Sequence, residues 1–253
     1  MCGIFGIITK NNEHIEKASL DAMCSSLSNR GPDDRGILEF PNCTLGQTRL
    51  SIIDLSGGHQ PMRDNKRDMA ITFNGEIYNY RELKKELEKK GYVFSTNSDT
   101  EVILKAYQEY GDECPKYLDG MFAFAIWDNK KRRLFMARDR FGKKPLYYAY
   151  DNTGNLIVAS EIKALFASGR LRGEIDLVAL DNYLELMYIP PWKSIYENIF
   201  SLPPAHVAVY RNDNLEIKRY WSLAYNPISI SYEDAKKETK RLLDEAVKKR
   251  MLA

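Results

Sequence analysis

Cysteine and histidine are both scarce in this chain, and neither is spaced for metal or disulfide chemistry. Its 253 residues include 4 Cys and 3 His. Cys2, Cys24, Cys43 and Cys114 lie far apart with no Cys-x-x-Cys pair, and His14, His59 and His206 are equally scattered. Metal-ligand spacing is therefore missing, and free thiols in a reducing compartment are expected. A dominant charge is missing too. The 37 basic and 35 acidic residues leave a net charge of +2, with the two signs interspersed. No basic stripe marks a nucleic-acid or membrane surface. No apolar run approaches the ~20 residues of a spanning helix. The first residues carry no basic leader, and a short apolar run gives way at once to Lys10-Asn11-Asn12-Glu13, unlike a secretion signal. The expectation is a cytoplasmic protein with no nucleic-acid partner, no membrane contact and no metal. Internal repeats and low-complexity tracts are absent.

What is present starts at the second residue, in Met1-Cys2-Gly3-Ile4-Phe5-Gly6-Ile7-Ile8. A small residue at position 2 favours trimming of Met1, which would leave a thiol and a free α-amine together on Cys2. A free Cys has a pKa of about 8.5 and an α-amine about 7.7–8.0, so part of the amine is a neutral base at pH 7. A nucleophile activated by its own terminal amine needs no histidine. The alternative is a cysteine simply buried in an apolar first strand, a common setting for free Cys.

Periodicity predicts a strand over 3–9, with Gly3 and Gly6 allowing close backbone approach, and an amphipathic helix over 14–28. Arg30-Gly31-Pro32-Asp33-Asp34-Arg35-Gly36 is a turn-rich loop that serves either turn geometry or a site. Strands follow near 36–40 and 43–50. Ser56-Gly57-Gly58-His59-Gln60-Pro61 superficially matches a pyrophosphate loop, but Pro61 blocks the required helix, so it reads as an ordinary loop. A strand over 69–73 ends in Phe73-Asn74-Gly75-Glu76. A helix over 80–90 is capped by Asn79 and closed by Gly91, with Tyr80, Leu83 and Leu87 inward. A second helix over 99–110 follows the capping box Ser98-Asp99-Thr100-Glu101. A hairpin over 121–128 and 133–138, strands near 147–150 and 156–160, helices near 161–167 and 176–186, and strands near 206–210 and 215–219 complete the pattern. Helices fall between pairs of strands rather than after each strand, which favours antiparallel sheets with helices outside. Residues 2–221 read as one domain, 222–230 as a linker through Asn226-Pro227, and 231–253 as the start of a second domain that the sequence truncates. The helix over 232–251 has little core of its own to cover; folding back on the first domain is its alternative.

A thiol attacking an amide carbonyl needs donors for the oxyanion. Asn74 and Gly75 offer a side-chain amide and an unhindered backbone N–H; they could equally form a turn. An amino-acid substrate would need a guanidinium for its carboxylate, which Arg49 offers, unless Arg49 is a surface ion-pair partner. Its ammonium would need an acid, which Glu76 or Asp99 offers, unless Asp99 only complements a helix dipole.

The motifs Met1-Cys2-Gly3-Ile4, Arg30-Gly31-Pro32-Asp33, Arg49-Leu50-Ser51-Ile52-Ile53-Asp54, Phe73-Asn74-Gly75-Glu76-Ile77-Tyr78-Asn79, Ser98-Asp99-Thr100-Glu101 and Gly120-Met121-Phe122-Ala123-Phe124 occur in that order. So do Arg138-Asp139, Pro145-Leu146-Tyr147-Tyr148 and Ala159-Ser160-Glu161-Ile162-Lys163-Ala164. Over about residues 2–220 the chain resembles the glutaminase domain of the class II glutamine amidotransferases, most nearly that of bacterial glutamine-hydrolysing asparagine synthetases. The resemblance implies an α+β fold, the N-terminal nucleophile hydrolase four-layer αββα sandwich with two antiparallel sheets. It implies Cys2 as the terminal nucleophile that forms a γ-glutamyl thioester, with its α-amine as base. Asn74 and Gly75 would form the oxyanion hole and Arg49 would hold the carboxylate of L-glutamine. Leu50, Ser51, Ile52 and Ile53 would line the pocket through backbone groups, and Glu76 and Asp99 would hold the amine. No cofactor is expected for this domain; ATP and Mg belong to the synthetase domain that follows it in the family and that this sequence lacks. As given, the chain should hydrolyse glutamine rather than make asparagine. The rivals are the glutaminase of another asparagine-synthetase-like amide ligase and a glutamine-binding module without turnover. Whether it forms a homodimer is left open.

Overall fold

Alternation along the strands decides the layers. In β1 (Gly3–Ile8), Ile4 and Ile8 join one apolar cluster while Phe5 and Ile7 join another. That is the period-2 split of a strand buried on both faces. The same split recurs in β5 (Met69–Ile77) and β6 (Gly120–Asp128). Ala70, Ala123, Ala125 and Trp127 face one way, and Ile71, Phe73, Phe122 and Phe124 the other. The structure is a computed structural model that describes residues 1–54 and 57–251.

The first sheet has the order β10 (Ile199–Ser201), β8 (Tyr147–Tyr150), β9 (Leu156–Ala159), β1, β3 (Cys43–Arg49), β2 (Asp34–Phe40). The second runs β12 (Asn214–Arg219), β11 (His206–Arg211), β7 (Arg133–Arg138), β6, β5, β4 (Met62–Asp64). Every pairing is antiparallel. Their inner faces meet through Ile4, Ile8, Leu45, Trp127, Leu134 and Met136. Outside the first sheet, α1 (Lys17–Ser26) and α4 (Ile162–Ala167) cover Phe5 and Ile7 with Leu20, Met23, Ala164 and Leu165. Outside the second, α2 (Tyr80–Lys89) and α3 (Asp99–Tyr110) supply Leu83, Leu87, Val102 and Ile103. Each such large apolar side chain contributes about 1.5–3 kcal/mol by leaving water. The result is the expected four-layer αββα sandwich. α5 (Leu177–Leu186) and α6 (Tyr232–Arg250) stay largely exposed. The far end of α6 touches the sandwich where Lys249 pairs with Asp119 at 2.7 Å and Arg250 lies over the Tyr78 ring. Among the described residues no helix is long and apolar enough to cross a membrane.

Several local expectations need correction. The strand placed over 69–73 continues to Ile77, so Asn74 and Gly75 lie inside β5, paired with Ala123 and Phe122, and are not a turn. Cross-strand pairing on β6 outweighs the weak strand preference of Asn and Gly. Asn79 does not cap α2; its side chain instead ties Tyr117 O and Asp119 N together. Ser98 does cap α3, accepting from Thr100 N at 3.2 Å, but Glu101 turns away from Ser98 to bind Ser95 and Thr96. The short strands β4 and β10 and the 3-10 turn Gly111–Tyr117 had no period long enough to register in the sequence. Ser56 of the Ser-Gly-Gly loop lies outside the described residues.

Candidate active site

The pocket forms where the start of β1 meets the open edge of β5. Hydrogen bonds between the sheets hold that edge. The fully buried Gln47 donates from Nε2 to Phe73 O at 3.1 Å and accepts from Thr72 Oγ1 at 2.9 Å. Gln60 accepts from Phe73 N at 2.8 Å and donates to Thr100 Oγ1 at 3.0 Å. Two N–H groups of this edge thus meet pocket side chains, Phe73 N at Gln60 and Ile77 N at Asp99 Oδ2 over 3.1 Å. Alternate residues of a strand present their N–H to the same side. The Gly75 N–H therefore opens onto this edge, between Gln60 and Asp99. The β5 side-chain alternation likewise turns Asn74 with Ala70 and Thr72 toward the space between the sheets. Asn74 is 1% exposed, yet neither its Nδ2 nor its Oδ1 has a hydrogen-bond partner. An unsatisfied buried amide normally costs about 1–3 kcal/mol, so this one stands ready for a ligand.

Cys2, Arg49, Leu50, Ile52, Ile53, Asn74, Gly75, Glu76 and Asp99 line one cavity. Of the residues singled out in the sequence, only Ser51 is missing from that lining; its N–H is engaged by Asp33 Oδ2 at 2.8 Å. Asp33 also donates its own N–H to Arg49 O, so the turn-rich loop shapes the site rather than merely reversing the chain. Cys2 points its thiol at Leu50 O, 3.7 Å away, while its own carbonyl accepts from Arg30 Nε at 2.8 Å. The Cβ that Gly3 lacks would fall 2.6 Å from Thr48 Oγ1 and 2.7 Å from Leu27 Cβ, so the strand can seat Cys2 here only with glycine next. Arg49 is buried, and its Nη2 donates to Ile53 O at 3.0 Å and Asp54 O at 2.8 Å. A Cβ on Gly58 would stand 2.3 Å from that nitrogen.

The electrostatics are uneven. Burial raises Asp99 to about 7, with Glu76 acting in the same direction against the backbone N–H groups that stabilise its charge. Burial also lowers the Met1 α-amine below its ordinary value, helped by Lys144 and Arg30 and opposed by Cys2 and Asp33. With Met1 present, the nitrogen on Cys2 is a peptide nitrogen and the free amine is one residue away. Sequence reading missed Lys144, Gln60, Ser98, Thr100 and Gly58 as lining groups. In the sequence Gln60 is part of a plain loop. Lys144 adjoins Lys143 in sequence, yet Lys143 is exposed and Lys144 is buried in the pocket wall. Only the fold separates them: Asp139 accepts from the N–H of both residues at 3.0 Å, and Arg138 Nε donates to Lys144 O at 2.8 Å. Burial depresses the Lys144 amine, with Glu76 pulling the other way. The arrangement offers a thiol, unspent amide donors, a fixed guanidinium and two carboxyl groups around one cavity.

Comparison with known proteins bears on the same residues. Residues 1–221 match the family described as the glutamine amidotransferase domain. The chain is 35% identical over 257 residues to asparagine synthetase (glutamine-hydrolyzing) 3 of Bacillus subtilis, a match covering 100% of this chain and 42% of that protein. It is 42% identical over 277 residues to the putative asparagine synthetase (glutamine-hydrolyzing) 2 of Methanocaldococcus jannaschii, covering 99% of this chain and 52% of that one. A solved structure of glutamine phosphoribosylpyrophosphate amidotransferase from B. subtilis, complexed with ADP and GMP, superimposes with a TM-score of 0.62 at 21% identity, covering 87% of this chain and 49% of that chain. That likeness speaks for the fold. The chain spans between two-fifths and about half of the curated relatives' lengths.

Proposed function

This chain belongs to the glutamine amidotransferase family, and on that premise we propose that its pocket hydrolyses L-glutamine to glutamate and ammonia through Cys2. The observation that carries the reading is Asn74, a fully buried amide with no partner, at the cavity that Cys2 also lines.

In this reading Met1 is removed and the α-amine passes to Cys2. The amine takes the thiol proton as Sγ attacks the side-chain amide carbon of glutamine. The oxygen of the tetrahedral adduct accepts from Asn74 Nδ2 and Gly75 N–H, donors of the kind that are each worth about 10²–10³ in rate. The protonated amine then hands its proton to the departing nitrogen, ammonia leaves, and a γ-glutamyl thioester remains. Water attacks the thioester carbon as the amine accepts its proton, the C–S bond breaks, and the amine returns the proton to the Cys2 thiolate as glutamate departs. Arg49 takes the substrate carboxylate. Glu76 and Asp99 take its ammonium. Backbone groups of Leu50, Ile52 and Ile53 close the remaining wall. Ser51 supports that wall indirectly, through Asp33.

For the longer protein we infer an ATP-dependent synthetase domain that receives the ammonia and amidates aspartate. Support comes from the names and greater length of the relatives. ATP and Mg would serve that domain. A second reading, a glutamine-binding module without turnover, fits a chain that keeps Met1, because Met1 itself lines the pocket.

The test is an intact mass of the purified protein before and after a glutamine-mimicking diazo-ketone. Loss of Met1 with one adduct on Cys2 supports the glutaminase. A trimmed terminus that takes no adduct overturns it, and retained Met1 without adduct leaves the binding module.

A further inference from the structure

The loop that follows Arg49 is built around Asp54. Asp54 adopts a positive φ of 50°, which a non-glycine residue holds only when its surroundings fix it. Its main-chain oxygen accepts from Arg49 Nη2 at 2.8 Å and from Gly58 N at 2.9 Å. Among the described residues its carboxylate also accepts from Gly57 N at Oδ1 over 2.9 Å and from Asn97 N at Oδ2 over 2.9 Å. The last of these leaves the loop and reaches a distant part of the chain.

Hydrogen bonds from two helices hold that distant anchor. Glu101 of α3 accepts from the N–H groups of Ser95 and Thr96, at 3.0 and 2.7 Å for the shorter contacts. Lys84 of α2 donates to Thr96 O at 2.9 Å and to Asn97 Oδ1 at 3.1 Å. Two residues after Asn97 comes Asp99, fixed by Ile77 N. Asp54 therefore joins the guanidinium on one side of the cavity to the segment carrying the buried carboxyl group on the other.

We propose that Asp54 is a positioning residue, which aims Arg49 at the substrate α-carboxylate by anchoring the Arg49 loop to Asn97. The inference rests on the reading that Arg49 holds that carboxylate. Asp54 does not itself line the cavity. It sets the distance between the groups that grip the two charged ends of an α-amino acid, and so the discrimination for a free carboxylate.

The experiment is steady-state kinetics on L-glutamine and on L-glutamine α-methyl ester, which keeps the amine and the side-chain amide but loses the anionic carboxylate. Losing both carboxylate bonds, the anchor to Asn97 N and the loop bond to Gly57 N, should raise KM for L-glutamine about tenfold in Asp54→Ala at nearly unchanged kcat. kcat/KM for the ester should be nearly unchanged, so the preference for the free acid falls by the same factor. Asp54→Asn keeps one acceptor and should show a smaller rise in KM on the free acid alone, with a correspondingly smaller fall in preference; it serves alone if the alanine variant does not fold. Equal losses on both substrates, or an unchanged preference, would overturn the proposal. Arg49→Met separates the two levels. If it abolishes the preference while Asp54 variants do not, only the positioning role fails. If it leaves the preference intact, the carboxylate reading itself fails.

Discussion

Arg30 grips the main chain of Cys2: its Nε donates to the Cys2 carbonyl oxygen over 2.8 Å, while its Nη1 pairs with Glu161 at 2.8 Å. The Arg30 side chain is only 10% exposed, so the contact is held rather than sampled. The thiol stands one residue from a free chain end, where fraying is ordinary. The paired register of β1 begins only at Gly3, so among the described residues the Arg30 bond is what ties down the Cys2 main chain.

Replacing Arg30 with Met should therefore loosen the nucleophile. A displacement of about 1 Å costs roughly 10² in rate, so kcat should fall by about that factor. Glu161→Gln should show a weaker effect in the same direction. Ammonia-release kinetics decide it; a kcat equal to that of the parent would remove the clamp from the mechanism.

Asn74→Ala should lower kcat by about 10²–10³ while leaving thermal stability equal or higher. The stability half follows from the unpartnered side chain, since deleting an unsatisfied buried group relieves a cost instead of breaking a bond. Kinetics and thermal unfolding on one preparation separate this from simple damage. A large drop in unfolding temperature would show that Asn74 has a structural partner.

Gly75→Ala should fail for a different reason. The added Cβ would lie 2.2 Å from Met121 O and 2.8 Å from Phe122 Cα, and neither backbone atom can move without parting β5 from β6. Overpacking of this kind costs about 1–3 kcal/mol or more. The midpoint of urea unfolding should fall accordingly; an unchanged midpoint would contradict the fit of the two strands.

Asp99 should make stability and binding respond to pH in opposite directions. Burial raises its folded-state value from 3.8 to about 7. Between those values the folded protein keeps a proton that the unfolded chain has lost. Stability from this group is thus full below pH 3.8 and declines as pH rises to about 7. The whole decline is on the order of 4 kcal/mol. If Asp99 holds the substrate ammonium, as proposed, only its ionised form pairs with it, and KM for glutamine should fall as pH rises through 7. Asp99→Asn should flatten both dependences. Urea unfolding and KM measured on either side of neutrality check the two signs; a KM that rises with pH would refute the ammonium-binding role.

The sequence by itself settled the elements with a long repeating period and the chemistry stated by residue type. The buried strand at β1, the hairpin of β6 and β7, the α2 stripe of Tyr80, Leu83 and Leu87, and the Ser98 cap of α3 all follow from local rules about spacing and capping. Cys2 beside a trimmable Met1 was visible without any fold. Tertiary structure decided what depends on residues distant in the chain. Asn74 and Gly75 became strand rather than turn because β6 pairs with them, at a cost their own preferences oppose. Ser51 was drawn from the pocket wall by Asp33, eighteen positions earlier. Lys144, not its neighbour Lys143, entered the pocket wall on a main chain that Asp139 holds at both residues and Arg138 at the Lys144 carbonyl. Asp54 gained its anchor at Asn97 across 43 positions. Local periodicity records which face a side chain takes on its own element. It contains nothing about which distant backbone group will come within 3 Å, because that distance is set only once both sheets are packed.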